Sequence, residues 1–112
     1  MTIRIETPSG GIEAEKAESF LEKWRGLRFR RKGKMLFKFP REVNYSVDMM
    51  FVPEKLYLYF LNTEKEVIKT VEAQPLSLNP ETWQLHSPQQ SYRYLLESFQ
   101  DLELEQGDRL SF

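Results

Sequence analysis

The side chains that could perform acid–base chemistry in this sequence are few. His86 is the only histidine among the 112 residues, and it lies in a stretch with three of the six prolines. A histidine can act as a general base only beside a suitably placed partner, and the sequence identifies no carboxylate for this role. Asp48 lies in an apolar segment, where an outward-facing strand position explains it better than catalysis. These residues predict no catalytic centre.

The sequence also lacks the usual motifs for metals, cofactors and nucleophiles. It has no cysteine, which excludes disulfides and cysteine-based zinc or iron–sulfur sites. One histidine falls short of the usual ligand set of a zinc enzyme. The Ser9-Gly10-Gly11 turn lacks both the phosphate-loop and the dinucleotide-binding spacing, and no Gly-x-Ser-x-Gly elbow is present. We therefore expect no metal and no cofactor.

Positive charge is concentrated in residues 23–41, called the basic segment below. The whole chain has a net charge of −1, but this segment has no acidic residue and nine basic ones: Lys23, Arg25, Arg28, Arg30, Arg31, Lys32, Lys34, Lys38 and Arg41. The acidic residues all lie elsewhere, so the chain has strong charge polarity. We expect a positive surface that attracts an anionic partner, which could be nucleic acid, an acidic protein or the acidic part of a second copy.

Aromatic residues alternate with this charge, and two interpretations remain open. Cations interleaved with exposed rings are typical of surfaces that bind single-stranded nucleic acid, where phosphates pair with charge and bases stack. The alternative is that the rings face the core while the cations face solvent. The residues concerned are Trp24, Phe29, Phe37, Phe39 and Tyr45. Alternation along a strand favours the second interpretation for residues 35–39.

Hydrophobic periodicity predicts a β-rich α+β domain. Residues 12–24 have helical spacing, and the other elements are short strands. The predicted strands are residues 2–7, 35–39, 56–61, 67–73, 92–99 and 109–112, with a hairpin turn at 62–66. We expect a small curved antiparallel sheet or incomplete β-barrel with the single helix packed on one side. Residues 74–91 form a long loop, a type of segment that often carries function.

The chain resembles a small prokaryotic family filed as domain of unknown function 192. The resemblance begins with Gly26-Leu27, Phe29-Arg30 and the Met35-Leu36-Phe37 strand, and it covers roughly residues 13–112. Further matching pieces follow in the same order: Val52-Pro53, the hairpin at 60–68, Tyr92 to Glu97, and Gly107-Asp108-Arg109-Leu110. The resemblance implies a fold and little chemistry, because the function of the family is unknown.

This chain departs from the family pattern at several polar positions. Tyr45-Ser46-Val47 replaces a Phe-Trp-Met motif, Pro53-Glu54-Lys55 replaces Pro-Leu-Asp, and Pro75-Leu76 replaces Pro-Cys. Arg28 stands where the family usually has methionine. If the family shares a ligand site at its Trp, Asp and Cys positions, the resemblance implies that this member has lost or rebuilt that site.

The sequence favours a single soluble domain over residues 1–112, without a membrane span or signal peptide, in the cytoplasm, as a monomer or weak homodimer. The expected function is a non-enzymatic binding or interaction module with a basic face at residues 23–41. The alternative is a small enzyme or ligand-binding protein for an anionic or sugar-like molecule, using the loop at 74–91. The candidate ligand-binding residues are Arg28, Arg30, Arg31, Lys34, Tyr45, Asp48 and His86.

Overall fold

Six β-strands make up the regular structure in the computed structural model, which describes residues 2–18, 27, 30, 32–47, 49, 52–75 and 85–112. The strands are β1 (Thr2–Thr7), β2 (Gly10–Ala17), β3 (Lys34–Val43), β4 (Leu56–Leu61), β5 (Val67–Ala73) and β6 (Tyr92–Ser98). They form one sheet in the order β1-β2-β3-β6-β4-β5. All neighbours are antiparallel except β2 and β3, which are parallel, so the sheet is mixed.

The predicted α+β class with a helix over residues 12–24 is wrong for the described residues. Residues 12–17 lie in strand β2, which pairs with β1 from Gly10 to Glu15 and with β3 from Glu15 to Ala17. Alanine, glutamate and lysine favour a helix locally, but ladders on both sides of the strand override that propensity. The described part of the chain is all-strand, a curved open sheet. Residues 19–24 lie outside the described residues.

Both faces of the sheet are buried, and β3 shows how the sequence alternation achieves this. Met35 and Phe37 pack in one hydrophobic cluster, whereas Leu36 between them packs in the other. β4 repeats the pattern, with Leu58 and Phe60 in the first cluster and Tyr59 in the second. Side chains alternate across a strand, so strands buried on both faces are apolar almost throughout. The alternation predicted for residues 35–39 is confirmed, because Met35, Phe37 and Phe39 all pack in the first cluster.

The C-terminal segment, residues 107–112, connects the two edge strands at one end of the sheet. Ser111 and Glu6 of β1 exchange two backbone hydrogen bonds, of 2.8 and 3.0 Å. On the opposite side Val67 of β5 donates to the carbonyl of Asp108 at 2.8 Å, and Leu110 donates to the carbonyl of Lys65 at 2.9 Å. This segment forms isolated bridges, where the sequence predicted a short strand. A segment that bonds to both edge strands of a curved sheet agrees in part with the predicted incomplete β-barrel.

The hairpin between β4 and β5 has the bounds that the sequence predicts. The Asn62 side-chain carbonyl accepts hydrogen bonds from the backbone amides of Glu64 and Glu66, both at 3.0 Å. Lys65 adopts a positive φ of 65° within the turn. Asparagine favours such turns because its side chain replaces a backbone acceptor. The turn therefore brings β5 back beside β4 in antiparallel register.

The described residues include no helix with the length and hydrophobicity that a bilayer span requires.

Candidate functional site

The predicted site residues fall into two groups at opposite ends of β3. Arg30 and Lys34 lie at its beginning, whereas Tyr45 follows its end and is joined there by His86. Ten residues of extended chain span about 30 Å at about 3.3 Å per residue. The two groups therefore belong to different surfaces. Arg28, Arg31 and Asp48 lie outside the described residues.

At the beginning of β3, one cation of the basic segment is neutralised within the molecule. The Arg30 guanidinium lies 2.5 Å from a carboxylate oxygen of Glu15 on β2. Gly33, with a φ of +123°, follows in the turn, and a side chain there would have its Cβ 2.8 Å from the same guanidinium. Glycine adopts this backbone conformation readily, whereas L-residues with side chains rarely do. The turn thus brings Arg30 back toward β2 before the chain enters β3.

The other described cations of the basic segment differ from the basic residues elsewhere. Lys32, Lys34, Lys38 and Arg41 make no ion pair and no side-chain hydrogen bond in the described part of the structure. Outside the segment, six of the seven basic side chains have a polar partner: Arg4, Lys16, Lys55, Lys65, Lys69 and Arg93. Arg4, Lys16 and Lys55 pair with carboxylates, and the other three donate to carbonyls. The described cations along β3 therefore lack a polar partner, whereas most basic side chains elsewhere have one.

The aromatic residues of the basic segment face the core where the structure describes them. Phe37 and Phe39 are 4% and 8% exposed and belong to the first hydrophobic cluster. They are not available to stack on the bases of a nucleic acid. Trp24 and Phe29 lie outside the described residues. For residues 35–39 the structure thus supports the interpretation in which rings face inward and cations outward.

The second group lies on a short two-stranded arrangement, residues 44–47 and 85–88, called the ribbon below. Val47 and His86 exchange two backbone hydrogen bonds, of 2.7 and 2.8 Å. The Ser87 hydroxyl donates to the side-chain oxygen of Asn44 at 3.4 Å. Tyr45 and Leu85 carry the two exposed large hydrophobic side chains of the described chain, at 57% and 69% exposure. The ribbon thus presents polar and apolar groups together.

An aromatic cluster connects the ribbon to the core. Tyr45 contacts Phe39 edge to face at a centroid distance of 5.8 Å, and Phe39 contacts Tyr92 at 5.7 Å. Tyr92 in turn contacts Phe60 at 4.9 Å. The Tyr92 hydroxyl donates to the carbonyl of Tyr45 at 2.8 Å, and burial raises the pKa of Tyr92 to about 12. The phenol therefore stays protonated at neutral pH and holds the ribbon against the sheet.

His86 and Lys69 lie close together where the ribbon meets β5. The Lys69 ammonium donates to the carbonyl of Ser87 at 3.1 Å, and His86 is half-buried. Burial lowers the pKa of His86, and the positive charge of Lys69 lowers it further. Both effects disfavour the imidazolium form. His86 is therefore mainly neutral at physiological pH.

Sequence analysis missed the contributions of Lys69, Asn44 and Ser87 to this surface. Lys69 is one of two charged residues in the half-exposed strand β5, and it lies 17 positions before His86. No local pattern distinguishes it, because its contact with the ribbon joins segments that are distant in sequence. In the described part of the chain, no group of three His, Asp or Glu side chains is placed to hold a metal ion.

We expect stability to depend on pH through His86. Its pKa is lower in the folded than in the unfolded state, so the unfolded chain binds more protons as the pH falls below about 6.5, the usual histidine value. The free energy of unfolding should be fully retained above that value and should decrease as the pH falls through this window. Urea denaturation of wild type and His86→Gln between pH 7.5 and 5.5 measures this, and the variant should show the weaker dependence. Equal slopes for the two proteins would contradict the assignment.

Comparisons with known proteins give a family and a fold. The family model described as "Uncharacterized ACR", a domain of unknown function, matches residues 2–112. A UPF0127 protein of Pyrococcus furiosus is 31% identical over 108 residues, which cover 90% of this chain and 87% of the relative. These matches confirm the resemblance seen in the sequence motifs.

Two solved structures share the fold. A protein of Sinorhizobium meliloti 1021, described as a "putative transcription regulator", superposes with a TM-score of 0.79 at 23% identity, covering 98% of this chain and 91% of that one. A protein of unknown function from Novosphingobium aromaticivorans superposes with a TM-score of 0.80 at 17% identity, covering 99% and 85%. At these identities the likeness shows the fold alone.

Proposed function

We propose that this chain, which belongs to the domain of unknown function 192 family, is a non-enzymatic interaction module. In this proposal, the module binds an anionic protein surface through its basic segment. The residues of this surface that the structure describes are Lys32, Lys34, Lys38 and Arg41. The function of the family is itself uncharacterised, so the proposal rests on the residues of this chain.

The observation that carries the proposal is the contrast in charge pairing. Cations outside the basic segment are mostly neutralised by a carboxylate or held by a carbonyl. In the described part of the segment only Arg30 is paired, with Glu15. Lys34 and Lys38 lie four residues apart on one side of β3, and Arg41 is exposed beyond them. Uncompensated charges on a rigid strand attract an anionic surface over roughly a Debye length, about 8 Å at physiological ionic strength.

A protein partner is favoured over single-stranded nucleic acid. Binding to single strands depends on exposed aromatic side chains between the cations. Phe37 and Phe39 are buried, so the rings between the described cations cannot stack on bases. Tyr45 is exposed but lies beyond the last of these cations, Arg41. An enzymatic function has less support, because the described contacts of His86 include no carboxylate that could orient it for proton transfer.

The test compares two triple variants with the same change in charge. The first is Lys32→Gln, Lys38→Gln and Arg41→Gln. The control is Arg4→Gln, Lys16→Gln and Lys55→Gln, whose cations are already paired with Glu6, Glu18 and Glu72. Binding of labelled poly-glutamate is measured by fluorescence anisotropy at low and moderate salt, with a labelled DNA duplex and single strand as further probes.

We expect the first variant to raise the Kd for poly-glutamate about tenfold, because three exposed ion pairs at about 0.5 kcal/mol each amount to about 1.5 kcal/mol. The control variant should change the Kd by less than about threefold. Affinity should fall as salt rises. Equal losses in the two variants, or no binding at low salt, would refute the proposal. Tighter and variant-sensitive binding to the duplex would replace the protein partner by nucleic acid.

A further inference from the structure

Lys69 places a positive charge where the ribbon meets β5, outside the basic segment. Lys69 is half-buried, and its ammonium has one acceptor in the described structure, the carbonyl of Ser87 at 3.1 Å. An ammonium has three hydrogens to donate. Neither Lys69 nor His86 pairs with a carboxylate in the part of the chain that the structure describes. A half-buried cation without a counter-ion loses hydration that a single carbonyl replaces only in part.

We propose that this site binds a small oxyanion, a carboxylate or phosphate group, between the Lys69 ammonium and the His86 imidazole. The backbone of His86 is fixed by its two hydrogen bonds to Val47, and its imidazole lies near enough to Lys69 of β5 for that charge to act on it. An oxyanion there accepts hydrogen bonds from the ammonium and from the protonated ring. The proposal is independent of the proposed function, because neither Lys69 nor His86 belongs to the basic segment.

The surroundings suit the non-ionic part of such a ligand. Tyr45 lies on the facing segment of the ribbon with 57% of its surface exposed. Its ring packs edge to face with Phe39. The Asn44 side chain and the Ser87 hydroxyl form the polar part of the ribbon. An aromatic face beside polar groups fits the ring of a sugar or another flat molecule that carries the oxyanion.

Charge around His86 determines what binding would do to it. The positive charge of Lys69 acts on His86 and opposes protonation of its imidazole. A bound anion offsets Lys69 and stabilises the imidazolium. Binding should therefore raise the pKa of His86 and should be accompanied by proton uptake near neutral pH.

The experiment follows the ring resonances of His86 by NMR as the pH changes. The chain has one histidine, so assignment is unambiguous. The wild-type protein is titrated in sodium chloride, in inorganic phosphate and in acetate at equal ionic strength. We expect a saturable rise of about 0.5 to 1 unit in the pKa of His86 with at least one of the two oxyanions. A pKa that is the same in all three salts would overturn the proposal.

Variants assign the effect to the site. Lys69→Met should raise the pKa of His86 in chloride and abolish its further rise with oxyanion. Lys55→Met is the matched control, because the Lys55 ammonium pairs at 3.0 Å with Glu72 of β5 and is not among the charges that act on His86. An oxyanion-dependent rise that persists in Lys69→Met would overturn the proposal. The triple variant of the basic segment should retain the rise, which separates failure of this site from failure of the proposed function.

Discussion

Replacing Phe60 by alanine should lower the free energy of unfolding by about 3–5 kcal/mol. Phe60 is fully buried in the first hydrophobic cluster, and its ring contacts Tyr92 edge to face at 4.9 Å. Truncation removes this contact and leaves a cavity against β4, the strand that lies between β6 and β5. A domain of this size has a total stability of about 5–15 kcal/mol, so the variant should be close to unfolding. Urea denaturation followed by circular dichroism measures the loss.

Leu85→Ala is the matched control for this variant. Like Phe60, Leu85 is a large apolar residue, but it lies in the ribbon and 69% of its surface is exposed. Its truncation should change the free energy of unfolding by less than about 0.5 kcal/mol. If Phe60→Ala cost no more than Leu85→Ala, the first cluster would not be the core of this sheet.

Replacing Leu110 by alanine should lower the free energy of unfolding by about 2–4 kcal/mol. Leu110 is 2% exposed and packs in the second hydrophobic cluster with Ile5 and Leu61, which come from opposite regions of the sheet. Its own amide donates to the carbonyl of Lys65. Because the C-terminal segment joins β1 to the beginning of β5, loss of this anchor should loosen both edges together.

Hydrogen exchange distinguishes loosening of the edges from a uniform loss of stability. The amides of Glu6 and Val67 donate to carbonyls of Ser111 and Asp108, so they should lose protection beyond the global change in Leu110→Ala. Arg109→Ala changes an exposed side chain in the same segment and should leave both amides protected. Full retention of protection at both amides in Leu110→Ala would contradict the closing role of this segment.

The Lys65 side chain adds a second contact to the same end of the chain. Its ammonium donates to the carbonyl of Phe112 and lies 4.4 Å from the centroid of the Phe112 ring. That ring contacts Tyr94 edge to face at 5.0 Å. The hairpin turn predicted from Asn62 and its neighbours thus also holds the C-terminal segment, a role that the local sequence does not indicate.

Local pattern determined most strands correctly, because alternation and turn chemistry act over a few residues. The bounds of β1, β4 and β5 agree with the prediction, as does the alternation of Met35, Leu36 and Phe37. It failed at β2, where the residue types favour a helix. There the pairing with β1 and β3 decides the conformation, because the hydrogen bonds of two ladders stabilise the strand by more than the helix propensity of its residues opposes it.

By itself, the sequence determined the family, the concentration of cations in residues 23–41 and the inward orientation of the rings in β3, because motifs, charge and alternation are local properties. Only the tertiary structure decided which cations stay uncompensated, since pairing depends on neighbours such as Glu15, which is distant in sequence from Arg30. It also separated Lys34 from His86 and brought Lys69 to the ribbon. The strand order that places β6 between β3 and β4 is a long-range property, and no short pattern encodes it.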